Sequence, residues 1–475
     1  MPNITTTPKS LPEVPKKYCK IILTEDALSW HRLVETVGGG LEYQMGAGKR
    51  AESTPRTYRT FVRTIVHATK AHQLEYIALH IETMGCPKLE ALGEEWFFRT
   101  LAENLSLASY EYRKYKTKEK KEKQLKEILV CGLSDKKCKT AFEEGLTIAE
   151  AANITRDIAN ATGDDMTPDA LAEATKVVFK GTKAIVKVLN EKEIVKQGMG
   201  LLHAVGKGAD DAPRFIVIEY WGAVKTNKKA KPIVLIGKGI TYDTGGLNVK
   251  PTGSMHDMHL DMSGGASVIG AISAAVELGL KKNIIGLIPA AENSISAKSM
   301  RAGDIATSLS GQTVEILHTD AEGRLVLADA MTYATKHYEP ALIIDIATLT
   351  GAALVALGLH ASAIMTKDEA LQNKLMKIGE ESGDLVWPLP LWDEYKSSLK
   401  SHRADISNIA TNFSKWGGCI EGGTFLSFFA PKNIPWAHID IAPRMDSIPS
   451  DKLAKGATGE PVRLLVELIK QHSNP

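Results

Sequence analysis

Between residues 185 and 441 one pattern recurs: a short apolar run, a helical stretch, then another apolar run. The runs fall at 185–189, 215–219, 233–236, 284–289, 313–317, 342–346 and 436–441. Between them lie helical segments such as 266–278 and 325–338. Near-continuous apolar runs of this length suit strands buried on both faces rather than alternating, half-exposed ones. Strands of that kind alternating with helices are the pattern of an α/β sheet covered by helices on both faces. In such sheets, ligands collect beyond the carboxyl ends of the strands.

The rest of the chain fits a second, smaller unit. At 475 residues it exceeds a single ordinary core, so two domains are expected. Residues 21–24, 76–81 and 128–132 read as strands and 94–109 as an amphipathic helix. Residues 138–160 read as a long helix, and Thr167-Pro168 supplies the cap and first turn of the next. The expectation is an α/β fold: a small N-terminal α/β domain over 1–140, a connecting helix over 141–165, and a larger α/β domain over 166–475 with a central mixed sheet.

Composition narrows the partners. With 58 basic against 56 acidic residues the net charge is +2, giving no global pull toward nucleic acid or membrane surfaces. No apolar stretch approaches the ~20 residues that span a bilayer. Five scattered cysteines lack zinc-knuckle or redox spacing, which suits free thiols and a cytoplasmic location. One run, residues 113–126, holds eight Lys or Arg; it reads as a solvated turn, with polyanion binding as the alternative.

Chemistry concentrates in the eighty-seven residues from Lys238 to Arg324. GKGITYDTGGLNVKP supplies Lys238, Asp243 and Lys250; MHLDMSGGA supplies Asp261; HTDAEGRL supplies Asp320, Glu322 and Arg324. Each acid alone could be a surface carboxylate paired with one of the three cations. Gathered at strand ends, four carboxylates repel one another, and burial raises their pKa values further. Two divalent cations would balance them, as in hydrolases that hold a metal pair ~3.5–4 Å apart.

These blocks carry a resemblance. HTDAEGRLVLADAM, GKGITYDTGG, ENSISAKSMRAGDI, ATLTGA and WAHIDIA look like the landmarks of the leucyl aminopeptidase family, over most of residues 145–470. The resemblance implies a metal-dependent aminopeptidase that releases N-terminal, leucine-like residues by a metal-bridged water. It implies two divalent ions per subunit, zinc or manganese first, with magnesium or cobalt as alternatives. Lys238, Asp243, Asp261 and Glu322 match one metal site, Lys238 as a neutral amine; Asp243, Asp320 and Glu322 match the other. Lys250 and Arg324 match the catalytic pair, with bicarbonate as a proton shuttle at Arg324. Met258, Thr348, Leu349, Gly351 and Ala352 match the pocket for the first side chain. Peptide substrates, a homohexamer, and no membrane or nucleic-acid partner complete the expectation.

The chain departs from the pattern in two segments, NATGDDMTP near residue 160 and KWGGCIEGGTFL, and at two single residues. His318 stands where the signature usually has asparagine, either as a tolerated hydrogen-bonding substitute or as a modulator of specificity or pH profile. His259 replaces a common Lys or Arg two residues before Asp261. A two-metal phosphoesterase, or a binding protein on the same scaffold, remains an alternative; the former usually recruits histidines at ligand spacing, and none of the thirteen here forms such a set.

Overall fold

The computed structural model describes residues 1–27, 30–80, 86–117, 123–223, 230–413 and 416–473. The chain divides into two compact units, Met1–Glu150 with Ser447–Lys455, and Ala151–Asp446 with Gly456–Pro475. The division falls inside a single helix, Lys136–Ala159. The return of Ser447–Lys455 to the first unit is a discontinuity that a linear reading of the sequence does not contain.

In the first unit, strands Asn3–Thr7 (β1), Cys19–Thr24 (β2), His31–Glu35 (β3), Leu41–Gly46 (β4), Tyr76–His80 (β5) and Glu127–Cys131 (β6) form one sheet. Their order is β1-β6-β5-β2-β4-β3, parallel except where β3 runs against β4. Parallel neighbours need long crossovers, and helices Pro55–Ala71 and Glu94–Ser109 lie in two of them. The first starts where the Thr54 hydroxyl accepts from Thr57 N and Pro55 pre-sets the opening turn. It buries Tyr58, Val62, Ile65 and Val66, one face of a 3.6-residue period. This helix and β1, β3 and β4 were not anticipated. β1 and β3 are the two edges of the sheet, where half-exposed polar strands such as NITTT and HRLVE carry little apolar signal. The basic run lies only partly within the described residues, with 118–122 outside them. At its ends Arg113 pairs with Glu111, while Lys126 and Lys123 reach Glu75 at 2.6 and 3.9 Å.

The second unit contains Ile185–Leu189 (β7), Arg214–Trp221 (β8), Ile233–Gly237 (β9), Gly239–Asp243 (β10), Asn283–Asn293 (β11), Asp304–Thr307 (β12), Thr313–Ile316 (β13), Leu342–Ala347 (β14), Ser362–Met365 (β15), Val386–Pro388 (β16), Ile406–Ser407 (β17) and Trp436–Asp440 (β18). The central sheet runs β16-β15-β18-β14-β9-β11-β8-β7, with β10 paired to β11 beyond the end of β9. Strands β18, β14, β9 and β11 are mutually parallel. Antiparallel pairings of β8 with β11, β7 with β8 and β15 with β18 make the sheet mixed, as expected. Every residue of β9, β14 and β18 is buried, which explains their apolar runs. One expectation needs correcting. β13 is not in the central sheet; it pairs with β12 and β17 in a separate three-stranded sheet.

Helix Ser263–Glu277 is pressed onto the carboxyl ends of β9 and β14. A Cβ on Gly264 would lie 2.2 Å from Ile346 O, so only glycine permits the approach. Gly265 N then donates to Lys238 O at 2.8 Å. No helix of the described residues is long and apolar enough to cross a membrane.

A second tie fixes the helix Gly323–His337. Its fully buried Asp329 accepts from Leu201 N and Leu202 N through Oδ2, at 2.9 and 3.0 Å, and from Leu309 N through Oδ1 at 2.7 Å. Burial pushes this carboxyl up to about 7, against the pull of its three backbone donors. Removing the acceptor strands buried N–H groups at a cost of roughly 1–3 kcal/mol each before relaxation. Asp329→Ala is therefore expected to destabilise the protein by about 3 kcal/mol, and Asp329→Asn by less. An unchanged urea midpoint for the alanine variant would remove this tie from the stability argument.

Candidate metal centre

Five segments meet at one end of the central sheet. Lys238 follows β9 directly, and Asp243 ends β10. Asp261 sits in the short turn Met258–Met262 that feeds helix Ser263–Glu277. Asp320 and Glu322 occupy the turn between β13 and helix Gly323–His337, whose second residue is Arg324. Thr348 follows β14. The seven residues singled out for metal binding and catalysis all line one pocket of about 460 Å³. Met258, Thr348, Leu349, Gly351 and Ala352 line it too.

Within it the charges pair specifically. Lys238 Nζ lies 2.7 Å from Asp261 Oδ2 and 2.9 Å from Glu322 Oε1, and donates to Thr348 O at 3.0 Å. Lys250 Nζ bridges Asp243 Oδ2 at 2.7 Å and Asp320 Oδ1 at 2.6 Å. Four carboxylates thus face two ammonium groups, leaving two negative charges uncompensated. Burial and this excess of negative charge both act on the carboxyl groups. Burial pushes Asp261 and Glu322 up to about 7, with Lys238 pulling the first down and Asp243 pushing the second up. Burial and then Asp243 push Asp320 up to about 6. Burial opposes the charge on Lys238 and Lys250, but the surrounding carboxylates, Asp261 first for Lys238 and Asp243 first for Lys250, outweigh it and hold both above the ordinary lysine range.

The donor set fits divalent ions. Asp243, Asp320 and Glu322 each offer an oxygen, and these oxygens lie within 4.8 Å of one another. Glu322 Oε2 is buried with no hydrogen-bond partner. Asp261 Oδ2 and Asp320 Oδ1 sit at ion-pair distance from lysines without hydrogen-bond geometry, so their lone pairs also remain available. Hard oxygen donors plus one amine suit zinc, manganese, magnesium or cobalt.

Several supporting residues carry no signal a sequence reader could use alone. Asn293, at the end of β11, donates to Asp243 Oδ1 at 2.8 Å and to Thr319 O at 3.1 Å. Asn248 and Thr319 exchange hydrogen bonds of 2.8 Å in both directions, which ties the loop after β10 to the turn bearing Asp320. Thr348 Oγ1 donates to Asp261 Oδ1 at 2.6 Å, so this pocket residue also orients a carboxylate. Asn408 braces the same turn, accepting from Leu317 N and donating to His318 O.

Arg324 is buried; its Nη1 donates to Asn408 O at 2.6 Å and meets Glu421 Oε1 at 3.3 Å, while its Nε has no partner. Glu421, also on the pocket wall, was not singled out in the sequence. His318 is half-buried and outside the pocket lining; its Nδ1 accepts from Asp320 N at 3.3 Å. Burial, then Arg324 and Lys250, lower its pKa, and burial likewise lowers that of His259. Two larger clefts of about 820 and 810 Å³ surround Lys367 and Asp393, but the metal-type carboxylate group among the described residues is Asp243, Asp320 and Glu322.

Known proteins share both the sequence and this architecture. The family model described as cytosol aminopeptidase family, catalytic domain, matches residues 153–466, and that of the family's N-terminal domain matches residues 43–119. The cytosol aminopeptidase of Pseudomonas aeruginosa is 43% identical over 436 residues, 90% of this chain and 85% of that protein. A tomato leucine aminopeptidase mutant superimposes with a TM-score of 0.87 at 26% identity, covering 99% of this chain and 97% of the other. The bottromycin maturation enzyme BotP in complex with Mn gives 0.83 at 29% identity, covering 99% of both chains. With a catalytic-domain match across two-thirds of its length, the chain belongs to the cytosol aminopeptidase family.

Proposed function

We propose that this chain releases N-terminal amino acids from peptides at a centre of two divalent ions held by Lys238, Asp243, Asp261, Asp320 and Glu322. Metal-dependent aminopeptidase activity is what its family performs. The observation that carries the reading to these residues is the buried, charge-deficient carboxylate group opening on an apolar-walled pocket. When bound, the ions supply an activated water and a polarised scissile carbonyl.

The chain's own groups do the rest. The Lys250 ammonium, fixed between Asp243 and Asp320, lies where it can stabilise negative charge developing on the carbonyl oxygen. Lys238 would hold an ion as a neutral amine, which requires that it give up the proton it shares with Asp261 and Glu322 here. Asn293, Thr348 and the Asn248–Thr319 pair keep the carboxylates in place, so little reorganisation is needed on binding. Met258, Leu349, Ala352, Leu354 and Met445 offer an apolar wall for the first side chain of the substrate. Assembly as a homohexamer in the cytoplasm belongs to the same reading, and light scattering on the purified protein tests the subunit number.

With metal loaded, Asp320→Ala and Lys250→Ala are each expected to lower kcat on leucine p-nitroanilide by about 10²–10³-fold, the range seen when a transition-state donor is removed. Near-parent turnover in either variant would break the mechanism. On a panel of aminoacyl p-nitroanilides, leucine and methionine are expected to exceed aspartate by at least about tenfold in kcat/KM, following the apolar wall. A flat profile would separate the wall from specificity.

The charge deficit also predicts how metal and pH act together. Asp261, Glu322 and Asp320 have folded-state values above those of the unfolded chain, so between pH 4 and pH 7 the metal-free fold binds more protons than the unfolded chain does. Their contribution to stability is therefore present below pH 4 and is lost as pH rises through the folded values of about 6 and 7. Bound cations reverse that loss. The Tm difference between metal-loaded and EDTA-treated protein is expected to widen from pH 5 to pH 7.5; a constant difference would contradict the charge assignment.

A further inference from the structure

We propose that Glu421 is a catalytic residue, the built-in proton carrier of the peptidase reaction, held for that task by Arg324. The proposal rests on the two-metal aminopeptidase reading above. Hydrolysis forms a C–O bond from water to the carbonyl carbon and breaks the C–N bond. One proton must therefore leave the attacking water and reach the departing amine.

The pocket restricts which group can carry it. Five carboxylates line the wall: Asp243, Asp261, Asp320, Glu322 and Glu421. The first four crowd around Lys238 and Lys250, and in the loaded enzyme their lone pairs belong to the metals. Lys250 and Arg324 are cations already protonated, and a guanidinium gives up no proton in a protein. His318 lies outside the lining. The remaining pocket group with a basic lone pair is Glu421.

Its placement suits the task. Glu421 sits in the first turn of helix Gly418–Ser427, with its side chain 12% exposed. Oε1 faces Arg324 Nη1 at 3.3 Å, and no hydrogen bond or ion pair engages Oε2 among the described residues. The neighbouring Gly422 lets the helix come close: a Cβ there would lie 2.9 Å from Leu349 Cδ2 and 3.5 Å from Arg324 Nη2. Arg324, itself tied to Asn408 O, thus fixes a carboxylate beside the substrate wall. Oε2 accepts the proton from water and passes it to the leaving nitrogen, so the carboxylate ends the cycle as it began. Arg324 then needs no external anion, and bicarbonate becomes dispensable to this chain.

The test uses the metal-loaded full chain and Glu421→Gln. The variant is expected to keep two ions per chain by elemental analysis and a KM within threefold of the parent. Its kcat should fall by about 10²–10³-fold, the share of a general acid–base group. Millimolar formate or bicarbonate should restore at least tenfold of that loss while leaving the parent unchanged. Calorimetry supplies a second readout: bicarbonate should bind the variant, whose Arg324 is released, and not the parent. A variant kcat within threefold of the parent, with Lys250→Ala inactive, overturns the assignment. So does a parent that binds bicarbonate as tightly as the variant. Absence of any peptide cleavage by the metal-loaded parent would instead sink the aminopeptidase reading, and the two failures are told apart by that control.

Discussion

Repulsion among Asp243, Asp261, Asp320 and Glu322 is the constraint around which the second unit is organised. Carboxylates that close together, and almost wholly removed from water in three of the four cases, cannot all stay ionised without compensating cations. Lys238 and Lys250 provide part of that compensation, each bridging two of the acids. The fold must therefore supply enough fixed structure to hold like charges together. Parallel strands buried on both faces provide it, because their ends are anchored by ladders of hydrogen bonds rather than by the side chains they display.

The scaffold converts that stiffness into positioning through short, specific contacts. Gly264 lets helix Ser263–Glu277 sit against Ile346 O, so Asp261 is delivered at the helix entrance, directly over Lys238. The turn bearing Asp320 and Glu322 comes from a different sheet; Asn248, Thr319 and Asn293 stitch it to the central one, while Asn408, next to β17, braces it within its own sheet. Cross-sheet construction explains why so many buried amides and hydroxyls surround the site. Each satisfies a backbone group that the junction would otherwise leave unpaired.

What was legible in the sequence follows from where the information is stored. The residues proposed as ligands and as catalytic cations stand in three compact segments, two of them just after apolar runs, so pattern and chemistry coincided there. Strands β9, β14 and β18 were legible because burial on both faces leaves most of their positions apolar or small. Edge strands β1 and β3 were not, since half-exposed polar strands look like loops. β13 was legible as a strand but not as a member of a separate sheet, because its partners β12 and β17 lie on either side of it in sequence and neither has an apolar run. Asn293, Asn408 and Glu421 act on groups 50, 84 and 97 residues away, and nothing local distinguishes them from surface residues.

Arg324 and Lys250 show how the same fold assigns different work to two similar charges. Lys250 lies inside the carboxylate group, where its ammonium bridges Asp243 and Asp320 and offsets their mutual repulsion. Arg324 lies two residues past Glu322, yet its guanidinium pairs with Asn408 O and Glu421 rather than with the four-carboxylate cluster. One nitrogen, Nη1, meets both the carbonyl and the carboxylate, while Nε remains unpartnered. A lysine there would offer a single point charge and would be drawn, like Lys238 and Lys250, into the negative cluster. On the proposed reading, separating one carboxylate from the four-acid cluster and tying it to a second cation divides the pocket into a region for ions and a region for proton exchange. That division depends on a guanidinium, because only a charge with fixed geometry can be kept facing the wrong way in so strong a field.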